Sequence, residues 1–416
     1  MLNLRRVPHQ SVGLGSAGAR WTLWVVVFVD LVGFGILAPL TPFYVLRTGL
    51  GAEQVTLIIA SYSLAQFLVM PLWGHVSDRR GRRPVLLVSM AGHVVSYVML
   101  AYADGWPMLL AARVLGGITA ANLVTAYAYS TDITPPEDRA KALGRISAAF
   151  GLGFVFGPMI GGLLAGPGDA TQADLMTPAL AAAGLSALSF LGILFFLPES
   201  RKPGDAANRN DPSFLDGLRR VAARPAIMAL VALCVVVITF VSAREAIIAV
   251  WAHDKLAMNA RDIGLVLAVS GATIAGIQFF AMGELTRRFG SVRLVMAALV
   301  LFAMGWTGLI LAQSWGHAAA ATVLTATATA LFQTQVQTIV SQSADAQERG
   351  MVLGVYQSSN SLARFGGQAL SGSIYSFVGR DAPFALGALM MAPAMILLLW
   401  ISRRMNAPAT VEAAAE

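Results

Sequence analysis

Apolar stretches of about 20 residues, separated by short polar loops, dominate this sequence and restrict what it can fold into. An α-helix of that length crosses a bilayer with every backbone hydrogen bond made internally. Only 12% of the residues are charged, about half the share usual in a soluble domain. Twelve such spans begin near Trp21, Val55, Pro84, Trp106, Ala140, Pro178, Ala226, Asp262, Arg293, Gly316, Arg349 and Pro383. The sequence therefore predicts an all-α polytopic membrane protein with twelve transmembrane helices.

The positions of the basic residues predict how these helices are oriented. Of the 29 Lys and Arg residues, 22 fall in the termini and alternate loops, four fall in the other loops, and three fall inside spans. Loops rich in Lys and Arg stay on the cytoplasmic side of a membrane. We therefore predict that both termini are cytoplasmic. The net charge of +7 follows these loops and so indicates no nucleic-acid partner.

A polar segment at residues 198–225 divides the spans into two sets of six. We predict a cytoplasmic tail over residues 1–20, a six-helix bundle over 21–197, a cytoplasmic linker over 198–225, a second bundle over 226–404 and a cytoplasmic tail over 405–416. The single cysteine and the five scattered histidines form no ligand cluster. With no catalytic dyad and no large extramembrane domain either, the sequence does not indicate an enzyme or a metal site.

Two motifs recur between the halves at nearly the same offset. Gly74-x-x-x-Asp78-Arg79-x-Gly81 returns as Gly283-x-x-x-Arg287-Arg288-x-Gly290, 209 residues later. Glu137-Asp138-Arg139-x-x-x-Leu143-Gly144 returns as Gln347-Glu348-Arg349-x-x-x-Leu353-Gly354, 210 residues later. Such a duplication is typical of transporters built from two parallel six-helix repeats. The second copy has Arg287 in place of the aspartate, which makes the two loops unequal.

The loop between spans 2 and 3 carries a dense polar motif, which we predict to be a short hinge at the membrane surface. Arginines at 79, 80, 82 and 83 hold it on the cytoplasmic side, and Asp78 can accept hydrogen bonds from them or from a helix end. The spacing resembles the G-x-x-x-D-R-x-G-R-[RK] loop of the Major Facilitator Superfamily. That resemblance implies a cytoplasmic gate that stabilises the outward-facing state, formed by Gly74, Asp78, Arg79, Gly81, Arg82 and Arg83.

Span 1 contains an acid, Asp30, about ten residues from its start. A carboxylate at that depth is costly and usually faces a cavity or a partner, where it can take up and release a proton. The alternative is a buried acid that only ties helix 1 to another helix. The pattern Asp30-x-x-Gly33-x-Gly35-x-x-x-Pro39-x-x-Pro42 resembles the first helix of drug:H+ antiporters of the tetracycline-exporter type.

Span 4 contains Arg113, which must find anions, carbonyls or water inside the membrane. Because it stays charged, it can favour proton release from a nearby acid. The alternative is that it snorkels to the outer interface. Arg113-x-x-x-Gly117 resembles an element of the same antiporters in which the arginine assists proton coupling. Asn122 is a candidate polar cavity group on this span.

Span 5 carries Gly153-x-x-x-Gly157-Pro158-x-x-Gly161-Gly162. Glycines at positions i, i+4 and i+8 clear one helix face for close packing, and Pro158 permits a bend. The pattern resembles the G-x-x-x-G-P-x-x-G-G motif associated with exporters rather than importers.

The second half places further polar groups inside spans. Arg244 and Glu245 are adjacent and so point about 100° apart on one helix. We propose Glu245, with Asp30 and Arg113, for proton coupling; the alternative is an ion pair at an outer gate. Candidate cavity groups, which could equally be interhelical hydrogen bonds, are Asn122, Arg244, Gln278, Gln333, Gln337, Asn360 and Arg364.

The resemblance covers spans 1–5 and the repeat markers of the second half. It implies the major facilitator fold, with two pseudo-symmetric six-helix bundles, in a bacterial inner membrane. It also implies a monomer that exports small hydrophobic compounds in exchange for protons and needs no cofactor beyond the proton gradient. The alternative is an exporter of one physiological solute, such as a siderophore, sugar or lysolipid. Span 3 offers only His93 and span 9 no acid, unlike the tetracycline exporters, so we do not expect tetracycline to be the substrate.

Overall fold

The computed structural model describes residues 15–37, 39–135, 138–166, 173–200, 219, 224–343 and 349–406. These residues form α-helices joined by short turns, without a β-strand among them. In the first half the helices are α1 (Gly15–Leu37), α2 (Thr41–Leu46), α3 (Ala52–Arg80), α4 (Arg82–Ala101), α5 (Trp106–Thr119), α6 (Asn122–Asp132), α7 (Arg139–Ala165) and α8 (Met176–Phe196). In the second half they are α9 (Pro225–Leu256), α10 (Ala260–Gly276), α11 (Met282–Phe289), α12 (Ser291–Ile310), α13 (Trp315–Gln342), α14 (Arg349–Phe377) and α15 (Ala382–Asn406), with a π-helical turn, Ile277–Ala281, between α10 and α11.

These helices correspond to the twelve predicted spans. Among the described residues, eight segments are long and apolar enough to cross a membrane, with α5–α6 and α10–α11 each counted as one crossing. The other four spans correspond to α1, α7, α13 and α14. The apolar parts of α1 and α7 are shorter, Trp21–Leu37 and Gly151–Ala165, whereas α13 and α14 are long but rich in Thr, Ser, Gln and Gly. Helices rich in such small and polar residues suit close packing against neighbouring helices within the bundle.

Local sequence signals set several helix boundaries. Asn259 caps α10 by accepting the backbone N–H of Asp262 at 2.9 Å, and Ser314 caps α13 by accepting that of His317 at 3.4 Å. α9 begins at Pro225, a residue that suits the first helical turn. Helix α1 begins at Gly15, so part of the predicted tail is helical; residues 1–14, 407–416 and most of the predicted linker lie outside the described residues.

The predicted hinge between spans 2 and 3 is much shorter than expected. Helix α3 continues to Arg80 and α4 begins at Arg82, so that Gly81 alone connects them, at φ +99°. Gly290 connects α11 to α12 in the same way, at φ +74°. Both positions need the positive φ that glycine tolerates. The equivalence of Gly81 and Gly290 agrees with the predicted duplication at an offset of 209 residues.

The two halves meet mainly through two helix pairs, α7 with α10 and α3 with α14. We call the end of the bundle that carries Gly81 and Gly290 the basic end, and the other the opposite end. At the opposite end, a Cβ on Gly372 of α14 would lie 2.6 Å from the carbonyl oxygen of Ala52 on α3. A Cβ on Gly264 of α10 would lie 2.6 Å from the carbonyl oxygen of Pro158 on α7. The halves are therefore in backbone contact there.

The same helices are open toward the basic end. A Cβ built on Gly74 of α3 or on Gly354 of α14 would meet no atom within 4 Å, and the same holds for Gly276 and Gly283 on the α10–α11 segment. Gly354 is exposed. Small residues thus bring the halves into contact at the opposite end, whereas these four glycines make no such contact toward the basic end.

Candidate functional site

Asp30 lies inside the first bundle, where four helices meet. It is only 1% exposed, and its carboxylate oxygens face His93 of α4, Asn122 of α6 and Ser186 of α8. The distance from Oδ1 to Nδ1 of His93 is 3.1 Å, and the distance to Oγ of Ser186 is 3.5 Å. Asn122 donates its amide N–H to Oδ2. Asp30 thus has polar partners, as expected, but it does not line an opening between the halves.

A break in predicted span 4 places Asn122 against Asp30. Helix α5 ends at Thr119 and α6 begins at Asn122, leaving Ala120 with non-helical backbone angles of φ −74° and ψ +57°. The side chains of neighbouring helices bind two carbonyls at the break: Trp73 donates to Ile118 at 2.5 Å, and Ser89 donates to Thr119. Polar partners of this kind make a helix break tolerable inside a membrane. Asn122, predicted as a cavity group, is instead the first residue after this break.

Arg113 is buried beside a group of tyrosines. Its guanidinium donates to Thr41 of α2, and Tyr44, Tyr62 and Tyr97 lie within its electrostatic range. It is only 6% exposed, so its guanidinium is covered by protein in this structure. Arg113 forms no ion pair with Asp30 here, although both charges act on Tyr62 and Tyr97.

Glu245 and Arg364 form an ion pair between α9 and α14 at 3.3 Å, roughly midway along α14. Their side chains are 36% and 42% exposed. The adjacent Arg244 points elsewhere, as the predicted angular difference requires, and is buried. Its Nη1 has no hydrogen-bond partner among the described residues.

The predicted amides of the second half are dispersed. Gln278 is half-buried in the π-helical turn, Gln333 is half-buried and Gln337 is exposed on α13. Asn360 of α14 bonds with Tyr356 one turn away. The buried amide on α13 is Gln335, which sequence reasoning missed, and it donates to Thr286 of α11 at 2.6 Å.

The glycine motif of α7 lies between α1 and α10. A Cβ on Gly153 would lie 2.7 Å from Cβ of Leu31, and one on Gly157 would lie 2.5 Å from Cα of Gly35. Gly161 faces the carbonyl of Ile36 equally closely. The predicted face thus packs on α1. Gly162 and Pro158 face α10 in the other half, where a Cβ on Gly162 would lie 3.1 Å from Cα of Gly264. The motif therefore joins a tight contact within one half to a contact between halves.

The residues of the predicted gate bond within the first half. Arg82 is buried and contacts Asp78 at 2.7 Å, Asp132 of α6 at 3.1 Å and Ser77 at 2.9 Å. The Nη2 of Arg83 donates to the carbonyl of Leu194 at 2.6 Å, whereas Arg79 and Arg80 are exposed. In the second half, Arg287 and Arg288 instead pair with Glu284, one turn before them.

Sequence reasoning missed Glu199 at this site. Its carboxylate accepts the backbone N–H groups of Arg82 and Arg83, at 2.9 and 3.1 Å, and so caps α4 from the end of α8. A Cβ at Gly81 would collide with that carboxylate. Glu199 and His93 are more than 60 residues away from the partners they meet, so local motifs gave no signal for either contact.

The residues described hold no group of three or more His, Cys, Asp and Glu side chains that could bind a metal ion. What they do hold is a pair of helix bundles with ionisable groups buried inside them, in backbone contact with each other at the opposite end. Fold and site together define a polytopic membrane transport protein.

Comparison with known proteins identifies the family. Residues 23–252 and 237–416 each match the Major Facilitator Superfamily, and the chain belongs to that superfamily. It is 32% identical to the class C tetracycline resistance protein of Escherichia coli over 84% of this chain and 88% of that protein. It is 25% identical to multidrug resistance protein 2 of Bacillus subtilis (strain 168) over 95% of this chain and 99% of that protein. Among solved structures, the human organic anion transporter MFSD10 (TETRAN) superposes with a TM-score of 0.69 and 26% identity, over 92% of this chain and 99% of that one.

Proposed function

We propose that the protein is a proton-coupled exporter of small hydrophobic or amphipathic compounds that works by alternating access. Its relatives include tetracycline resistance and multidrug resistance proteins. Two bundles joined by small-residue contacts suit a rocking motion around a site between them. This mechanism requires only a monomer in the lipid bilayer, with protons and one small-molecule substrate as its partners.

Asp30 is the observation that carries the proton coupling. An ionisable group 1% exposed within a transmembrane bundle is costly, and such groups usually mark a proton relay or an ion pathway. Arg113 lies in the same bundle, and Glu245 lies in the second bundle, paired with Arg364 between α9 and α14. The pair that Glu245 makes with Arg364 is about 40% exposed, which would let protons or a cationic substrate compete for the carboxylate.

The excess of Arg at the basic end supports a cytoplasmic location for that end. The structure would then be the inward-facing state, since the halves touch at the opposite end. In this state the gate residues Asp78 and Arg82 bond within their own half. Closure of the basic end would bring α14 toward α3, where Asp78 and the exposed Arg79 could contact it.

Everted membrane vesicles, with the cytoplasmic side outward and an acidic lumen, test the coupling. Ethidium added outside should enter in exchange for luminal protons, which a pH-sensitive dye records. Asp30→Asn should abolish proton exchange while leaving unlabelled-for-labelled ethidium exchange measurable. Asp104→Asn, at an exposed loop position, is the matched control and should behave as wild type. Normal proton exchange by Asp30→Asn would contradict the role of Asp30.

One observation favours a second candidate, an exporter of organic anions. Arg244 is buried, and its Nη1 has no hydrogen-bond partner among the described residues. A buried guanidinium in that condition can bind a carboxylate, sulfonate or phosphate. MFSD10 carries the description of an organic anion transporter. In the same vesicles, an anionic dye should then compete with ethidium or replace it, and Arg244→Gln should remove uptake of the anion alone.

A further inference from the structure

A histidine that no sequence motif selected lies against the proposed proton-carrying acid. His93 is 2% exposed on α4, and its Nδ1 faces Oδ1 of Asp30 at 3.1 Å. Its other ring nitrogen, Nε2, is buried and has no hydrogen-bond partner among the described residues. Buried polar atoms in folded proteins nearly always have a partner, so each exception calls for an explanation.

We propose that Asp30 and His93 form one proton-carrying pair, and that the exchangeable proton binds to Nε2 of His93. One proton stays between Nδ1 and Oδ1 throughout. Loading adds a single proton to Nε2 and changes the net charge of the pair from −1 to 0, and release removes that same proton. The role of this pair in transport rests on the proton coupling proposed above.

Geometry favours Nε2 over the carboxylate as the site of uptake. Both carboxylate oxygens already accept hydrogen bonds, Oδ2 from Asn122 and Oδ1 from Ser186, while Oδ1 also faces Nδ1. A proton added to Oδ1 would have to displace one of its two partners, and a proton added to Oδ2 would share that oxygen with the N–H of Asn122. A proton added to Nε2 displaces nothing, because that lone pair is unused. The neutral ring then carries its hydrogen on Nδ1, as the contact with a carboxylate requires.

The surroundings of the pair set its charge. His93 faces Asp30 of α1, and Asp30 in turn faces Asn122 of α6 and Ser186 of α8. The ring of Tyr97, on the same helix as His93, stacks on the His93 ring with 5.7 Å between the ring centres. Tyr62 of α3 lies within electrostatic range of Asp30, and Arg113 of α5 lies within range of Tyr62 and Tyr97. Arg113 is the one permanent cation among these groups, and it makes no ion pair with Asp30 in this structure.

The pair is also joined to the break between α5 and α6. Asn122, the first residue of α6, donates to Asp30, and Ser89 of α4, one turn before His93, donates to the carbonyl of Thr119 at the end of α5. A change in the charge of the pair therefore acts directly on the hydrogen bond of Asn122, the first residue after a break in the backbone. This gives protonation a direct mechanical link to the orientation of α6.

Ring nitrogens can be observed directly by NMR in the purified full-length protein, labelled with ¹⁵N-histidine in detergent. The His93 signal is assigned as the one that disappears in His93→Gln. If that variant does not fold, the His93 signal is assigned as the one that remains in each of four other variants, His9→Gln, His75→Gln, His253→Gln and His317→Gln. We expect the neutral ring to carry its hydrogen on Nδ1, and the second proton to appear on Nε2 as the sample is acidified. In Asp30→Asn the preference of the neutral ring for hydrogen on Nδ1 should be lost, because the carboxylate that accepts this hydrogen is gone. A ring protonated on Nε2 when neutral, or one that does not titrate, would overturn the proposal.

Transport gives the second measurement. In the vesicle assay, His93→Gln should lose proton exchange with ethidium but keep ethidium-for-ethidium exchange, whereas His317→Gln, an exposed histidine at the opposite end, should keep both. Full proton exchange by His93→Gln would refute the assignment. A wild-type protein that exchanges no protons would contradict the proposed function instead, while the NMR titration would still decide the chemistry of the pair.

Discussion

Gly372 is the position where a single methyl group should change the balance between the two transport states. It lies on α14 at the opposite end, directly against the backbone of α3. The Cβ of Gly372→Ala would lie 2.6 Å from the carbonyl oxygen of Ala52, 2.7 Å from Cα of Glu53 and closer still to the hydroxyl of Thr56. The hydroxyl can rotate, but the backbone atoms cannot.

The size of the effect follows from this overlap. An ordinary contact begins near 3.4 Å, so α3 and α14 must separate by about 0.8 Å at this point. Overpacking of this kind costs about 1–3 kcal/mol. The cost arises only while the opposite end is closed, so the equilibrium should shift about 5-fold to 150-fold toward the state in which that end opens. Alanine also favours the helix by about 0.5–1 kcal/mol, but it does so equally in both states.

Pulsed electron paramagnetic resonance can measure that shift. Spin labels at Arg80→Cys of α3 and Gly354→Cys of α14 report the separation across the basic end, in a Cys234→Ala background that removes the one native thiol. Both labelled positions are exposed. We expect Gly372→Ala to increase the population with the shorter distance, because the basic end closes as the opposite end opens.

Gly366→Ala is the matched control on the same helix, since a Cβ there would meet no atom within 4 Å. It carries the same gain in helix propensity without the steric overlap, and its distance distribution should equal that of wild type. An unchanged distribution in Gly372→Ala, or an equal change in both variants, would refute the argument that this contact sets the state.

Two further predictions concern stability outside the spans. Glu199→Gln should weaken the cap on α4, because the single amide oxygen replaces the two carboxylate oxygens that accept the N–H groups of Arg82 and Arg83. We expect the free energy of unfolding to fall by about 1–2 kcal/mol and the midpoint of thermal unfolding to fall by roughly 2–4 °C. The control Asp104→Asn should leave both quantities unchanged. Hydrogen bonds from Thr177, and from the N–H of Met176, hold the pKa of Asp174 below its ordinary value of 3.8. Asp174 therefore stabilises the fold above that value and loses this effect as the pH falls through its lower folded pKa, so Asp174→Asn should flatten the pH dependence of thermal unfolding between about pH 5 and pH 2.

Local sequence patterns were enough to predict the twelve spans and the glycines that connect or pack several of their helices. The length of apolar runs depends only on local sequence, and the duplicated motifs identified Gly81 and Gly290 as equivalent connections. The glycines of α7 were expected to allow close packing, and Gly153 and Gly157 do contact α1. The predicted short hinge proved to be a single residue, because α3 stays helical through Arg79 and Arg80 and only Gly81 forms the turn.

The partners of the ionisable residues could not be read from the chain. Asp30 and His93 are 63 residues apart, and Glu245 and Arg364 are 119 apart. Contact between two such side chains depends on the rotation, depth and tilt of their helices. Those quantities are set by how small residues on all the neighbouring helices pack together, which no single segment specifies.

By itself, the sequence determined a twice-repeated set of membrane helices with basic loops on one side and a few charges within, because apolar length and charge act locally. Only the tertiary structure decided that Asp30 meets His93 rather than an opening, that Glu245 pairs with Arg364, and that the halves touch at the opposite end. Each of these contacts requires atoms from several helices to pack together, and the packing energy depends on the whole bundle rather than on any one segment.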